Sequence, residues 1–126
     1  MERAGASQAF HDKMIKLLAD SLIGKKFRDV RADHPDFPEK PAPIGANGFA
    51  FCHVPDVTAM GIQMVLFEVE TDETINDPHT REQWELFSSY AHQNGAEFWV
   101  VVPKASMKDA DRRMVELGLA AKVMGF

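Results

Sequence analysis

The first hydrophobic pattern along the chain has the period of an amphipathic helix. Over residues 7–23 apolar side chains recur every three or four positions, which places them on one helical face. These positions are Phe10, Met14, Leu17, Leu18 and Leu22. Ser7 is a suitable N-cap, and Gly24 is a suitable residue to end the helix. Residues 25–32 then predict a first strand, although only two apolar positions support it.

The middle of the chain predicts a long loop followed by a hairpin of two strands. Residues 33–48 hold four of the seven prolines, and proline lacks the N–H that a central strand needs. The predicted strands cover residues 49–59 and 62–71, and a tight turn at Met60-Gly61 joins them. We expect the glycine of this turn to adopt positive φ. The second strand is apolar on both faces until its carboxyl end, as is typical of a central strand covered on both sides.

Two strand–helix–strand units complete the pattern. Asp77-Pro78 begins the first helix of these units, with Thr80 and Gln83 as an alternative capping box, and Ser106 is placed to cap the second helix. The remaining predicted elements are a helix over residues 77–94, a buried strand over 98–102, a helix over 106–117 and an edge strand over 121–126. The sequence therefore predicts an α/β domain of order α-β-β-β-α-β-α-β, in which helices flank a mixed sheet.

Composition limits the classes of protein to which the chain can belong. Its 126 residues, 45% hydrophobic and 26% charged, suit one globular domain over residues 1–126. No apolar run approaches the roughly 20 residues that span a bilayer, and the first residues lack a signal-peptide pattern. The single cysteine, Cys52, excludes an intrachain disulfide. We therefore expect a cytoplasmic protein that does not enter the membrane.

Three acidic residues on the predicted hairpin give the strongest chemical signal. Glu68 and Glu70 lie two residues apart on one strand, so their side chains share a face, and Asp56 lies on the partner strand. At about 4 Å, two like charges repel by about 1 kcal/mol in water and about 4 kcal/mol near a protein surface. A divalent cation would relieve this repulsion, and oxygen ligands suit Mg²⁺ and Mn²⁺. The same residues could instead form a solvated strand end that leads into a loop.

The residues of this hairpin resemble the signature of the PD-(D/E)XK nuclease superfamily, whose fold is restriction-endonuclease-like. The matching segments are residues 53–58 (HVPDVT) and residues 66–71 (LFEVET), and the predicted element order matches the superfamily's α-β-β-β-α-β core. The resemblance implies a Mg²⁺- or Mn²⁺-dependent nuclease that hydrolyses phosphodiester bonds of DNA. It implies catalytic metal ligands at Asp56 and Glu68 and a substrate-positioning or ligand-orienting role for Gln83.

The chain departs from the family pattern at Glu70, where most members carry lysine and this chain has E-x-E. Glu70 could hold a second metal ion or act as a base. It could equally mark a domain that has lost catalysis and serves as a binding or assembly module. Because one fold supports many functions, the resemblance leaves both interpretations open.

Basic residues supply the candidate contacts to nucleic acid. Lys25, Lys26 and Arg28 form the main basic run, although such a run is often an ordinary charged strand edge. Arg81, on the neighbouring helix, is the cation nearest in sequence that could replace the missing lysine. The net charge of −5 disfavours nucleic-acid binding unless the basic residues share one face. We expect a homodimer to be needed to grip duplex DNA, with the proline-rich loop at 33–48 as a possible contact.

Overall fold

A five-stranded sheet with helices on both faces forms the structure, a computed structural model that describes residues 5–126. The helices are α1 (Gly5–Gly24), α2 (Pro78–Asn94) and α3 (Met107–Leu117), and a 3₁₀ turn at Lys104–Ser106 precedes α3. The strands are β1 (Arg28–Ala32), β2 (Val57–Met60), β3 (Met64–Val69), β4 (Glu97–Val102) and β5 (Lys122–Gly125). The predicted element order and the α/β class are confirmed.

The strands lie side by side in chain order, and the sheet is mixed as predicted. Antiparallel pairing joins β1 to β2 and β2 to β3, whereas parallel pairing joins β3 to β4 and β4 to β5. The two parallel pairs need crossover connections, which α2 and α3 provide. As a consequence, the amino end of β2 and the carboxyl ends of β3, β4 and β5 meet at one edge of the sheet.

Each face of the sheet packs on its own hydrophobic cluster. Leu66 of β3 belongs to the cluster beneath α2 and α3, while its neighbours Val65 and Phe67 belong to the cluster beneath α1. The largest fully buried side chains of α2 itself are Trp84, Phe87 and Leu86. Because side chains alternate along a strand, Glu68 and Glu70 follow Leu66 onto the face that α2 covers. None of the helices within residues 5–126 combines the length and the apolar character needed to cross a membrane.

The buried face of α1 differs from the predicted apolar stripe. Ile15, Ala19 and Leu22 pack against the sheet, whereas Phe10 is 41% exposed and Leu17 is 49% exposed. The helix carries apolar residues on more than one side, so the spacing alone did not determine which side faces the sheet. The predicted stripe was therefore rotated relative to the buried face.

The helix ends follow the predicted signals only in part. Asp77 is the N-cap of α2, and its carboxylate accepts a hydrogen bond from the N–H of His79 at 2.8 Å. Ser106 makes no side-chain capping hydrogen bond, and Ser7 lies inside α1 rather than at its N-cap. After α1 the left-handed backbone conformation falls on Lys26, with φ of 66°, and not on a glycine.

The segment predicted as a strand over residues 49–59 is mostly irregular. Only its last part, in β2, pairs with β3, and residues 49–56 continue the proline-rich loop. The loop pairs with itself through a single bridge between Ile44 and His53. It then packs on α2, where Asn47 and Gln93 exchange two hydrogen bonds of 3.1 and 3.3 Å. The aromatic residues of this segment therefore pack on a helix instead of extending the sheet.

The hairpin turn also needs glycine for a different reason from the predicted one. The positive-φ glycines of the described chain do not include Gly61. A Cβ at Gly61 would lie 3.0 Å from the ring of Phe27, which is tighter than most Cβ contacts and would require the ring to shift. The close approach of the aromatic ring, and not the backbone conformation, therefore favours glycine here.

Candidate functional site

A small polar cavity of about 90 Å³ lies at the carboxyl end of β3, between α1 and the beginning of α2. Its lining residues are His11, Asp56, Glu68, Glu70, His79, Thr80 and Gln83. The structure thus brings together Asp56, Glu68, Glu70 and Gln83, the four side chains predicted from the sequence to share one site. Their roles in catalysis or metal binding stay predictions.

Asp56 and Glu68 hold each other in place across the hairpin. The β2–β3 register pairs Val57 with Phe67, so the next pair outward is Asp56 with Glu68. The backbone N–H of Asp56 donates to Glu68 Oε1 at 2.9 Å, and the backbone N–H of Val69 donates to Asp56 Oδ2 at 2.7 Å. Both side chains are buried. These hydrogen bonds fix the two carboxylates before any ligand binds.

Glu70 is held by partners on two other elements. Its side chain is 1% exposed. Thr74 donates its hydroxyl to Glu70 Oε1 at 2.7 Å, and the indole N–H of Trp84 donates to Glu70 Oε2 at 3.4 Å. Thr74 lies in the turn after β3, and Trp84 lies in α2. Glu70 therefore connects the end of β3 to the following turn and to α2, which is a structural role independent of any metal.

His11 is a site residue that the sequence analysis missed. It is buried, and its Nε2 lies 3.2 Å from Asp56 Oδ2. It lies four residues before Ile15, so the two side chains share the buried face of α1. Only the packing of Ile15, Ala19 and Leu22 on the sheet shows which face of α1 is buried, so the spacing of apolar residues alone did not place His11 at this site.

The beginning of α2 adds further polar groups at the mouth of the cavity. His79 and Thr80 belong to the first turn of this helix, where the backbone carries partial positive charge that favours anions. The ring of His53 packs perpendicular to that of His79 with 5.2 Å between centroids, and His53 Nε2 lies 3.2 Å from Glu82 Oε1. His53 therefore lies beside the cavity without lining it. His34 accepts a hydrogen bond from the N–H of Asp36 within the proline-rich loop and does not line the cavity.

The donor chemistry of the cavity fits a hard divalent cation. Asp56 and Glu68 supply carboxylate oxygens, and Mg²⁺ is commonly held by one or two carboxylates while water and phosphate oxygens complete its coordination. Within residues 5–126, no group of three or more His, Cys, Asp and Glu side chains has the arrangement of a metal site. Metal binding by Asp56, Glu68 and Glu70 therefore stays a prediction.

The basic residues predicted to contact nucleic acid lie away from this cavity. Arg28 hydrogen-bonds to the hairpin turn, and Lys25 and Lys26 border a groove beside the same turn, at the opposite end of β2 and β3 from the acidic residues. Arg81 Nε lies 3.4 Å from Glu85 Oε1, and Arg81 is not among the residues that line the cavity. Binding of nucleic acid by these four cations stays a prediction.

Comparisons of the chain with family models, with curated proteins and with solved structures found no match. The class that the fold defines is a single α/β domain with a mixed five-stranded sheet. What the domain does must therefore be argued from the cavity and its position in the sheet.

Proposed function

We propose that this domain is a Mg²⁺- or Mn²⁺-dependent phosphodiesterase of the PD-(D/E)XK type that hydrolyses DNA. The observation that carries the proposal is the convergence of Asp56, Glu68 and Gln83 on one buried polar cavity. The order of the sheet supports it, because three antiparallel strands followed by a helix and a parallel strand match the core expected for that superfamily. The first turn of α2, which favours phosphate, faces the same cavity.

The residues of the cavity would have separate roles in hydrolysis. Asp56 and Glu68 would hold the cation, which supplies stabilisation of negative charge on the phosphate when it is bound. His11 and the N–H of Val69 keep the Asp56 carboxylate oriented toward the cavity. Gln83 presents an amide that can donate to a phosphate oxygen without adding charge. Hydrolysis then adds water across one P–O bond, and Glu70 would orient the attacking water.

A catalytically inactive nuclease-like module for binding or assembly is the second candidate. The environment of Glu70 favours it, because both of its carboxylate oxygens already accept hydrogen bonds, from Thr74 and Trp84. In addition, Lys25, Lys26 and Arg28 lie at the far end of the hairpin, where they cannot replace the missing lysine. A domain of this kind would keep the fold and the acidic cavity without turnover.

A plasmid-nicking assay separates the two candidates. We expect the wild-type protein to nick supercoiled DNA in Mg²⁺ or Mn²⁺ and EDTA to stop the reaction. Asp56→Asn removes one ligand charge at nearly constant volume, so its rate should fall at least about a hundredfold, as when one stabilising group is lost from an active site. Asp72→Asn makes the same change at an exposed residue just after β3 and should leave the rate unchanged.

Two results would contradict the proposed nuclease activity. If the folded wild-type protein cleaves neither DNA nor RNA in Mg²⁺ or Mn²⁺, the binding or assembly module is the remaining candidate function. Cleavage that is equal in the wild type and in Asp56→Asn would place the activity outside this cavity.

A further inference from the structure

Helix α1 covers only part of one face of the sheet. α1 packs chiefly against β1, β2 and β3, and the cluster on this face contains no residue of α2 or α3. Trp99 of β4 and Met124 of β5 point to this side and stay partly exposed, whereas Phe98 and Val100 on the other side are buried. Parallel strands normally have both faces covered. Here the Lys122 side chain lies over the Trp99 ring at 5.2 Å and Phe10 of α1 contacts Phe126, but no helix of the described chain covers Trp99 and Met124.

A groove of about 740 Å³ runs along this uncovered surface. Its floor and its wall on α1 are apolar, formed by Val65, Phe67, Trp99, Met124, Leu18 and Leu22. At the hairpin end of the groove the side chain of Ile62 is fully exposed. A groove with apolar walls and an exposed aliphatic side chain at one end is suited to bind an apolar side chain of another molecule.

The rim of the groove is positively charged. Lys25 and Lys26 lie in the turn after α1 and border the groove. Neither forms a salt bridge within residues 5–126. On the other side Glu97 is compensated by Lys122, whose Nζ lies 2.7 Å from Glu97 Oε1. On a chain with net charge −5, this rim is therefore complementary to an acidic partner.

The backbone at Lys26 gives a second, independent indication. The N–H of Phe27 donates a hydrogen bond to the carbonyl of Leu22, and Lys26, the residue before Phe27, has a φ of 66°. This is the position after a helix where glycine is usual, because a side chain is unfavourable in the left-handed region. Lys26 therefore presents a charged side chain at a turn position where glycine is usual.

We propose that this groove binds an amphipathic α-helix of another protein. The apolar stripe of that helix would lie on Trp99 and Met124, and acidic residues at one of its ends would lie over Lys25 and Lys26. Trp99 and Met124 lie on adjacent strands about 4.8 Å apart, so a helix about 10 Å in diameter that lies along the groove would contact both side chains. Apolar anchors spaced by three and four residues fill a groove of this shape. The groove lies at the far end of the hairpin from the acidic cavity, so the proposal does not depend on nuclease activity.

Selection from a displayed library of random 16-residue peptides tests this proposal. We expect the selected peptides to share apolar residues at helical spacing with Asp or Glu at one end. A synthetic peptide of that sequence should become helical on binding and should alter the fluorescence of Trp99. The double variant Lys25→Glu/Lys26→Glu should weaken its binding at least tenfold, as should Ile62→Asp. Lys108→Glu, an exposed charge reversal on α3, should leave binding unchanged.

Lys26→Gly separates binding from folding. It removes one rim charge and relaxes the backbone, so the variant should bind the peptide severalfold more weakly while melting at a temperature no lower than that of the wild type. Three results would overturn the proposal. The first is a selection that yields no peptides, or peptides without the apolar and acidic pattern. The second is peptide binding that is unchanged in Lys25→Glu/Lys26→Glu. The third is a wild-type dimer that Ile62→Asp converts to monomers. Saturable binding of dodecanoate in the groove, without any peptide binding, would also overturn the proposal, because the groove would then be a site for a small amphiphile.

Discussion

Replacing Glu70 by glutamine tests whether this buried carboxylate stabilises the fold. Glutamine has nearly the same shape but offers one acceptor oxygen where glutamate offers two. If that oxygen keeps the bond from Thr74, the indole N–H of Trp84 loses its acceptor inside the core. A buried donor without a partner costs about 1–3 kcal/mol, so we expect Glu70→Gln to lower the free energy of unfolding by about that amount.

Urea unfolding measures this change directly. With a slope of about 1–3 kcal/mol per molar urea, the midpoint should fall by roughly 0.5–2 M while the slope stays the same. Glu73→Gln, an exposed neighbour with the same change of charge, is the control and should stay within about 0.5 kcal/mol of the wild type. An unchanged or higher midpoint for Glu70→Gln would refute the reasoning, because repulsion among the carboxylates would then outweigh the hydrogen bonds of Glu70.

Three further changes have defined expectations. Glu70→Lys should destabilise the fold more than Glu70→Gln, because a buried ammonium cannot accept a hydrogen bond from Thr74 or Trp84. The same substitution should lower the rate of DNA cleavage per folded molecule. A higher rate of cleavage would indicate a degenerate site. Lys26→Gly should raise the free energy of unfolding by up to about 1 kcal/mol in urea titrations, and a clear loss would show that the backbone there is relaxed. The hydrogen bond from Lys122 lowers the pKa of Glu97, so this pair stabilises the fold above the ordinary pKa of glutamate and loses that effect as the pH falls through the lowered pKa. Glu97→Gln should therefore cost about 0.2–1 kcal/mol at neutral pH and almost nothing at about pH 2, and an equal cost at both pH values would contradict the pairing.

The elements with local signals were predictable from the sequence. Asp77-Pro78 and Gly95 mark the two ends of α2, and the structure uses Asp77 and Gly95 as its caps. The apolar runs of β3 and β4 predicted buried central strands, and both are central. The face of α1 was not predictable in the same way, because its orientation depends on which apolar residues the sheet accepts. The segment at 49–56 resembled a strand in composition, but it packs on α2 instead.

The candidate site was predictable where a single hairpin determines it. The sequence places Asp56 and Glu68 on the two strands of one hairpin, but their direct pairing depends on the observed turn at residues 61–63. The predicted turn at Met60-Gly61 would have paired Asp56 with Val65 instead. His11 and the partners of Glu70 come from elements distant in sequence, so only the tertiary packing reveals them. The same holds for the groove, since the sequence does not indicate that α1 leaves Trp99 and Met124 partly exposed.

Calorimetric titration with Mn²⁺ tests most directly whether Asp56 and Glu68 hold a divalent cation. We expect the wild type to bind one Mn²⁺ ion and Asp56→Asn and Glu68→Gln to lose that binding, while Asp72→Asn keeps it. At a hundredfold excess over Kd, the bound ion should stabilise the wild type by about 2.7 kcal/mol, and Asp56→Asn should show no such stabilisation. Equal Mn²⁺ affinity in the wild type and in Asp56→Asn would contradict the assignment of this cavity as the metal site.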